Sequence, residues 1–195
     1  MVGGLILRVW RHPRPDGAVG RCIGRTDLPV DPRRAKRLAH RIRRQARRDG
    51  GPRVVWTSHL RRGKAVGRWL ARWGWGHRVD PRLAELDFGA WDGLAWPAIG
   101  QAEVEAWCAD FADHRPGGGE SLSALMRRCS AFLQALRHAP GPTYIVGHGG
   151  WINAARRCAD GPTTGPLRAA DWPAPVAYGA AVQLSLGAGT APISA

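Results

Sequence analysis

The sequence lacks the features that mark membrane-spanning, disulfide-bonded and zinc-binding proteins. No apolar run approaches the ~20 residues of a membrane-spanning helix. Arg8 and Arg11 interrupt the short apolar run near the start, so this segment does not have the order of a signal peptide. The four cysteines are widely spaced and form no Cys-x-x-Cys pair: Cys22, Cys108, Cys129 and Cys158. We therefore expect a cytoplasmic protein with reduced thiols, no bound metal and no membrane partner.

Lysine is almost absent, although the chain is strongly basic. The formal net charge of +14 comes nearly all from arginine, and Lys36 and Lys64 are the only lysines. Such a charge attracts anions in general. The densest basic run, from Arg33 to Arg48, also carries an apolar stripe that predicts an amphipathic helix with its arginines facing water. Because a solvated helix face and a GC-rich genome explain these arginines more simply, nucleic acid is not expected as a partner.

Short apolar strands alternate along the chain with helix-forming segments. The predicted strands are Leu5–Trp10, Val54–Thr57, a short strand near Arg78-Val79, and Thr143–Gly147. Two late apolar segments, Val176–Tyr178 and Val182–Leu186, are predicted as edge strands or a hairpin. Helices are predicted at Pro32 after the cap Asp31, after the cap Ser58, at about Ala102–Phe111, from Glu120, and at about Trp151–Cys158. This alternation predicts an α/β three-layer sandwich, in which helices cover both faces of a mostly parallel central sheet. The length fits a single domain over residues 1–195.

Two histidines directly follow predicted strands. Arg11-His12 ends the first strand, and His148-Gly149-Gly150 ends the late buried strand. The loops at the carboxyl ends of parallel strands carry the chemistry of many α/β proteins, so we expect these groups to meet there. An imidazole can attack phosphorus and carry the phosphoryl group as phosphohistidine. The two strand ends therefore predict a phosphate site, to which the backbone N–H groups after His148 can contribute at a helix start.

Further segments appear in the order of a known family. Ser58-His59-Leu60-Arg61-Arg62 follows the second strand, and Glu85 to Gly93 lies in the middle of the chain. Pro116 to Leu122 is similar to a Pro-x-x-Gly-Glu-Ser-Leu stretch, and Arg128 follows Glu120 by eight residues. Together with the two histidine segments, this order resembles the histidine phosphatase superfamily, the phosphoglycerate mutase-like enzymes. The resemblance runs from Leu5 to about Asn153 and implies that fold.

The resemblance implies three catalytic residues. His12 would be the nucleophile that forms the phosphoenzyme, and His148 would contact the phosphate beside it. Glu85 would protonate the leaving alkoxide and then act as base for the attacking water. Asp87 and Asp92 remain competitors for the role of Glu85, since all three lie in the same segment. No metal or other cofactor is implied.

The resemblance also implies residues that bind the substrate. Arg11 and Arg62 would clamp phosphate oxygens with guanidinium donors, while Gly24 and Gly149 would line the binding site. We choose Arg62 over its neighbour Arg61 because it lies four residues after Ser58, as in the family. The expected partner is a small-molecule phosphate ester, and a homodimer is left open.

The loop after His12 departs from the family pattern. The family commonly has Arg-His-Gly-Glu-Thr, whereas this chain has Arg11-His12-Pro13-Arg14-Pro15. Pro13 removes a backbone N–H and with it any phosphate contact from that amide. Arg14 places a base where the family has an acid, which favours a more anionic substrate. Val66 stands where many members have threonine. None of these changes removes a catalytic group.

Within the superfamily, the segments Gly20 to Pro29 and Glu85 to Gly93 look most like α-ribazole phosphatases, which act in cobalamin biosynthesis. The resemblance implies α-ribazole 5′-phosphate or a related cobalamin precursor as substrate. The stretch from Asp92 to Arg115 is short, which favours a phosphatase over a mutase, although another small-molecule phosphatase or a mutase remains an alternative. A catalytically silent member that binds a polyanion or a protein is the alternative of another class. Three tryptophans lie in the region that would cover the pocket, where a benzimidazole could stack, although simple packing of these rings is the favoured alternative: Trp91, Trp96 and Trp107.

Overall fold

The fold is built around a five-stranded sheet. The structure, a computed structural model, describes residues 4–137, 139–161 and 167–187. The strands are β1 (Leu5–Arg11), β2 (Val54–Thr57), β3 (Gly76–Val79), β4 (Thr143–Gly147) and β5 (Ala181–Leu186). Their order across the sheet is β3-β2-β4-β1-β5. The first four strands run parallel, and β5 pairs antiparallel with β1 at one edge. Every residue of β4 is buried, as expected for a central parallel strand.

Helices cover both faces of this sheet. They are α1 (Pro32–Asp49), α2 (Arg61–Ala71), α3 (Gln101–Ala109), α4 (Leu122–Ala135) and α5 (Gly149–Asp160). The helices α1 and α2 close one apolar core against Tyr144 and Val146 of β4. The helices α4 and α5 close the other against Ile145 of the same strand. The predicted α/β three-layer architecture is therefore confirmed. Among the described residues, no helix has both the length and the apolar character needed to cross a bilayer.

Several predicted element boundaries were wrong. Val176–Tyr178 forms no strand, because these residues run as irregular chain across the end of β1. Ser58 does not cap α2, since Leu60 stands at that position and its N–H donates to the Ser58 hydroxyl over 3.3 Å. Helix α4 begins at Leu122 rather than at Glu120, with Ser121 as its cap. Helix α5 begins at Gly149, two residues before the predicted start. The tail after residue 187 lies outside the described residues.

Candidate active site

The two histidines meet at the carboxyl ends of adjacent strands. His12 follows β1 and His148 follows β4, and the backbone N–H of His12 donates to the Gly147 carbonyl over 3.0 Å. The centres of the two imidazole rings are 4.8 Å apart. Both side chains are buried, His12 at 4% and His148 at 0% exposure. The parallel pairing of these strands therefore brings together two rings that are separated by most of the chain.

A backbone carbonyl sets the tautomer of His12. The Nδ1 atom of His12 lies 2.7 Å from the Pro13 carbonyl oxygen, which can only accept a hydrogen bond. Nδ1 therefore carries the proton, and Nε2 keeps its lone pair, with no hydrogen-bond partner in the described part of the chain. Burial, followed by the positive charge of Arg62, holds the pKa of His12 well below its usual value. The ring is thus neutral and has the form of a nucleophile at neutral pH.

Arg62 orients His148. Its Nε donates to Nδ1 of His148 over 3.3 Å, and the Ser58 hydroxyl lies 2.7 Å from Nε2 of the same ring. An arginine nitrogen can only donate, so Nδ1 accepts and the proton of His148 lies on Nε2, facing Ser58. Burial, and then the charge of Arg62, lower the pKa of His148 well below its usual value. Arg61 is exposed, and its backbone N–H donates to Asp27. The structure therefore brings Arg62, and not Arg61, to the histidines.

Asp92 holds the loop that positions Arg62. The guanidinium of Arg62 donates to the carbonyls of Gly24 and Thr26 over 2.5 and 2.7 Å. In turn, Asp92 accepts the backbone N–H groups of Gly24 and Thr26 at 3.1 Å each, and also that of Arg25. The Thr26 hydroxyl donates to the same carboxylate. Asp92 therefore has a positioning function, which the sequence did not indicate.

Gly24 lies where a side chain cannot fit. A Cβ atom at this position would lie 2.2 Å from the Leu86 carbonyl oxygen. Its carbonyl holds Arg62, and its N–H is engaged by Asp92. The structure thus shows that Gly24 supports Arg62, whereas contact of either residue with phosphate or substrate stays a prediction.

Glu85 lies at the N-terminus of α5. One oxygen accepts the N–H of Gly150 over 3.1 Å, and the other accepts those of Trp151 and Leu86, also over 3.1 Å. Two of the N–H groups after His148 that were expected to bind phosphate therefore bond to Glu85 instead. The competitor Asp87 accepts the backbone N–H of Gly89 over 2.9 Å and so stabilises a turn. Of the three carboxylates in this segment, Glu85 is the one that shares a cavity with Arg11.

A partly buried ion pair fixes the segment that carries Glu85. Arg128 donates to both oxygens of Glu120, over 2.7 and 2.8 Å. The same guanidinium donates to the backbone carbonyls of Arg82, Ala84 and Glu85, over 2.8, 2.6 and 2.9 Å. One side chain thus ties three carbonyls around Glu85 to α4. The Pro116 to Leu122 segment, noticed in the sequence as a family signature, supplies the Glu120 half of this pair.

Arg11 is held by the segment that precedes β5. Its Nη1 donates to the Val176 carbonyl over 2.8 Å, and its guanidinium carbon lies 3.8 Å from the centre of the Tyr178 ring. The Nε atom is buried without a hydrogen-bond partner in the described part of the chain, so a donor remains for an anion. At Gly149, a Cβ atom would lie 3.3 Å from the guanidinium carbon of Arg11, which explains the small residue there. Tyr178 was not predicted as a site residue from the sequence, because no motif surrounds it.

A cavity of about 500 Å³ opens beside these groups. Its lining includes Arg11, Glu85 and Gly149, and several aromatic side chains that we call the aromatic pocket: Phe88, Trp96, Trp107, Phe111, Trp172 and Tyr178. The prediction was correct in placing Trp96 and Trp107 at the pocket. Trp91 is instead buried in a small separate core with Cys22 and Ile99, as the packing alternative predicts.

The arrangement can hold a phosphate against an imidazole. The positive charges of Arg11 and Arg62 act on a neutral His12 ring whose Nε2 keeps its lone pair. Charged donors of this kind stabilise phosphate oxygens in ground and transition states. Within the described residues, no group of three or more His, Cys, Asp or Glu side chains is placed to hold a metal ion. Positive charge in this site is supplied by the protein's own arginines.

Fold and site together fit a class of phosphate-handling α/β proteins that have two histidines at adjacent strand ends. A model of the histidine phosphatase superfamily (branch 1) matches residues 7–175, and the chain belongs to this superfamily. A metal-independent phosphoserine phosphatase of Arabidopsis thaliana is 30% identical over 148 residues, which are 70% of this chain. The chain spans only 60% of the length of that relative.

Solved structures of phosphatases and related proteins are similar to this chain in sequence and fold. A mycobacterial glucosyl-3-phosphoglycerate phosphatase in complex with VO3 is 28% identical with a TM-score of 0.75, covering 93% of this chain and 92% of that one. A protein of Thermus thermophilus, TTHB049, is also 28% identical, with a TM-score of 0.67 and 92% of each chain covered. These relatives support the expectation of a phosphatase. They do not support the more specific resemblance to α-ribazole phosphatases.

Proposed function

We propose that the protein is a metal-independent phosphomonoester phosphatase that works through a phosphohistidine on His12. The observation that carries this proposal is the neutral His12 ring, with its proton fixed on Nδ1 by the Pro13 carbonyl and its Nε2 free beside the guanidinium groups. An Arabidopsis relative named as a metal-independent phosphatase supports the absence of a metal from the chemistry.

The reaction has two steps. Nε2 of His12 attacks phosphorus and forms an N–P bond, while the P–O bond to the alcohol breaks and the alkoxide takes a proton from Glu85. A water molecule then attacks phosphorus, Glu85 takes its proton, and the N–P bond breaks to release phosphate and neutral His12. Arg11 and Arg62 stabilise the charge that develops on the phosphoryl oxygens. His148, held by Arg62 and Ser58, orders the site beside the nucleophile.

For the substrate, we propose α-ribazole 5′-phosphate or a related cobalamin precursor. The support is the resemblance of the Gly20 to Pro29 and Glu85 to Gly93 segments to α-ribazole phosphatases. Glycerate and serine phosphates are the second candidates, because relatives are named for phosphoserine and glucosyl-3-phosphoglycerate. A cytoplasmic location is part of this proposal.

The test is phosphate release with a chelator present. The panel contains α-ribazole 5′-phosphate, 3-phosphoglycerate, phosphoserine, a nucleoside 5′-monophosphate and an aryl phosphate. We expect His12→Ala to lose at least about 1,000-fold in turnover while staying folded, whereas His40→Ala, at an exposed histidine, serves as the matched control. Full activity of His12→Ala would overturn the mechanism. Preference for 3-phosphoglycerate or phosphoserine would overturn the cobalamin substrate alone.

A further inference from the structure

Five of the six rings of the aromatic pocket, all except Tyr178, form a continuous row of contacts. Phe88 and Trp96 have ring centres 6.2 Å apart, and Phe88 and Trp107 are 5.9 Å apart. The row continues from Trp107 to Phe111 at 5.3 Å and from Phe111 to Trp172 at 5.9 Å. Trp96 is 42% exposed, which is unusual for such a large apolar side chain. The row thus presents an apolar wall with an uncovered ring at its rim.

This wall lies where the leaving group must go. The cavity that it lines is also lined by Arg11, a predicted phosphate ligand, and by Glu85, the proposed acid. An acid that protonates the leaving oxygen must lie beside that oxygen. The space between Glu85 and the aromatic rings is therefore the space that receives the alcohol part of the ester.

The pocket offers little to an anionic leaving group. Among the described lining residues, the charged side chains are Arg11, Arg21 and Glu85. Arg11 and Glu85 serve the phosphate and the proton transfer, and Arg21 already donates to the Gly93 carbonyl over 2.8 Å. The remaining lining is largely aliphatic and aromatic, with Ile23, Leu86, Leu122 and Leu125 among its members. Such a surface favours an uncharged planar group, which buries area and stacks on rings.

We propose that the aromatic pocket is the leaving-group site and that it selects phosphate monoesters whose alcohol carries an uncharged aromatic ring system. Trp96 and Trp172 determine this specificity, since they stand at either end of the row of rings. The proposal rests on the proposed function for the identity of the bond that breaks. It extends that function from one candidate substrate to a class, and it assigns the class to named residues.

The experiment compares esters that differ only in the leaving group. 2-Phenylethyl, 2-cyclohexylethyl and n-butyl phosphate all release an unactivated primary alkoxide, so differences in kcat/KM report binding of that group. We expect 2-phenylethyl phosphate to exceed 2-cyclohexylethyl phosphate by about 3-fold to 10-fold, because the two differ in planarity and ring electrons more than in size. The value of kcat/KM should be lower again for n-butyl phosphate and lowest for 3-phosphoglycerate. A preference for the cyclohexyl ester or for 3-phosphoglycerate would overturn the proposal.

Variants locate the selectivity. In Trp96→Ala, the ratio of kcat/KM for the phenylethyl ester to that for the butyl ester should fall by about 10-fold. The matched control is Trp69→Ala, which removes a half-buried tryptophan that contacts Lys36 and Arg72 outside the pocket. The ratio should not change in that control. An unchanged ratio in both Trp96→Ala and Trp172→Ala would contradict the assignment.

Failure of the phosphatase proposal is separable from failure of this one. If no ester is hydrolysed, the mechanism through His12 is wrong, and binding is measured instead by calorimetry with 3-phenylpropylphosphonate and 3-cyclohexylpropylphosphonate. These probes replace the bridging oxygen with carbon and cannot be hydrolysed at that bond. Tighter binding of the phenyl compound that is weakened in Trp96→Ala supports the pocket, whereas equal binding of the two compounds overturns it.

Discussion

Arg62 and His148 form a buried pair in which the guanidinium Nε donates to the imidazole Nδ1 over 3.3 Å. Both side chains are almost fully inaccessible, at 1% and 0% exposure. The pair joins the start of α2 to the end of β4, so the cation that would bind phosphate also sets the tautomer of the neighbouring ring. The other ring nitrogen contacts Ser58, which makes that hydroxyl part of the same unit.

Replacement of Ser58 by alanine should impair this unit. The Nε2–H of His148 would lose its acceptor inside a closed core, and an unsatisfied buried donor costs about 1–3 kcal/mol. We expect a lower free energy of unfolding and a decrease in kcat/KM of about 10-fold, because the ring keeps the hydrogen bond from Arg62 but loses the one to Ser58 and can tilt. Urea unfolding and steady-state kinetics measure the two effects. Ser185→Ala, at an exposed position of β5, is the control, and equal behaviour of both variants would contradict the role.

The free energy of unfolding should fall as the pH is lowered below about 6.5, the ordinary pKa of histidine. Burial and Arg62 lower the pKa of His12 in the folded state, so the unfolded chain binds more protons between the two pKa values. In this window His12 lowers the free energy of unfolding of the protein by about 1.4 kcal/mol for each pH unit of acidification. His12→Asn should therefore show a shallower dependence of unfolding free energy on pH than the wild type. Equal slopes in urea unfolding between about pH 6.5 and pH 5 would contradict a buried neutral His12.

Arg128→Ala should lower turnover without abolishing phosphate binding. The change frees three carbonyls around Glu85 and leaves Glu120 with the longer ion pair to Arg25, at 3.8 Å. Displacement of an acid by about 1 Å can cost up to about 100-fold in rate. The loss should be smaller for 4-nitrophenyl phosphate, whose leaving group needs no proton, than for an alkyl phosphate. Arg127→Ala, at the exposed neighbour, is the control. Equal losses with both substrates would indicate a purely structural role.

Asp92→Asn should loosen the loop that carries Gly24 and Thr26. An amide nitrogen cannot accept the N–H bonds that a carboxylate oxygen accepts, so at least one backbone donor loses its partner, at about 1–3 kcal/mol. Because both carbonyls of that loop hold Arg62, we expect kcat/KM to fall together with thermal stability. Asp113→Asn, at an exposed aspartate, should change neither quantity. An unaltered kcat/KM in Asp92→Asn would separate the loop from the phosphate site.

Much of the fold and the central pair of histidines could be predicted from the sequence. His12 and His148 each follow an apolar run, and parallel strands of this kind end at one edge of a sheet. The choice of Arg62 over Arg61 depended on spacing within a resemblance, and the structure brings Arg62 to the histidines. These features are local in the chain, or are repeated in order across a family, and are therefore visible in the sequence.

The supporting residues could not be predicted in the same way. Ser58 has a side chain typical of a helix cap, and its contact with His148 spans 90 positions. The sequence indicates for Asp92 only a possible acid role, and it gives no sign of the four donors from a loop more than sixty residues earlier. Tyr178 follows no motif and reaches Arg11 only through the return of the chain before β5. Contacts between residues so far apart in the chain depend on the tertiary fold and leave no periodic pattern in the sequence.

The hydrogen bond between His12 and the Pro13 carbonyl also determines the regiochemistry of any covalent adduct. With Nδ1 holding its proton, the phosphoryl group can be attached only at Nε2, which yields the τ isomer of phosphohistidine. The acceptor belongs to the main chain, and every amino acid supplies the same carbonyl at that position. Proline in place of the glycine that is common in the family therefore leaves this choice of isomer intact, because the main-chain acceptor is the same.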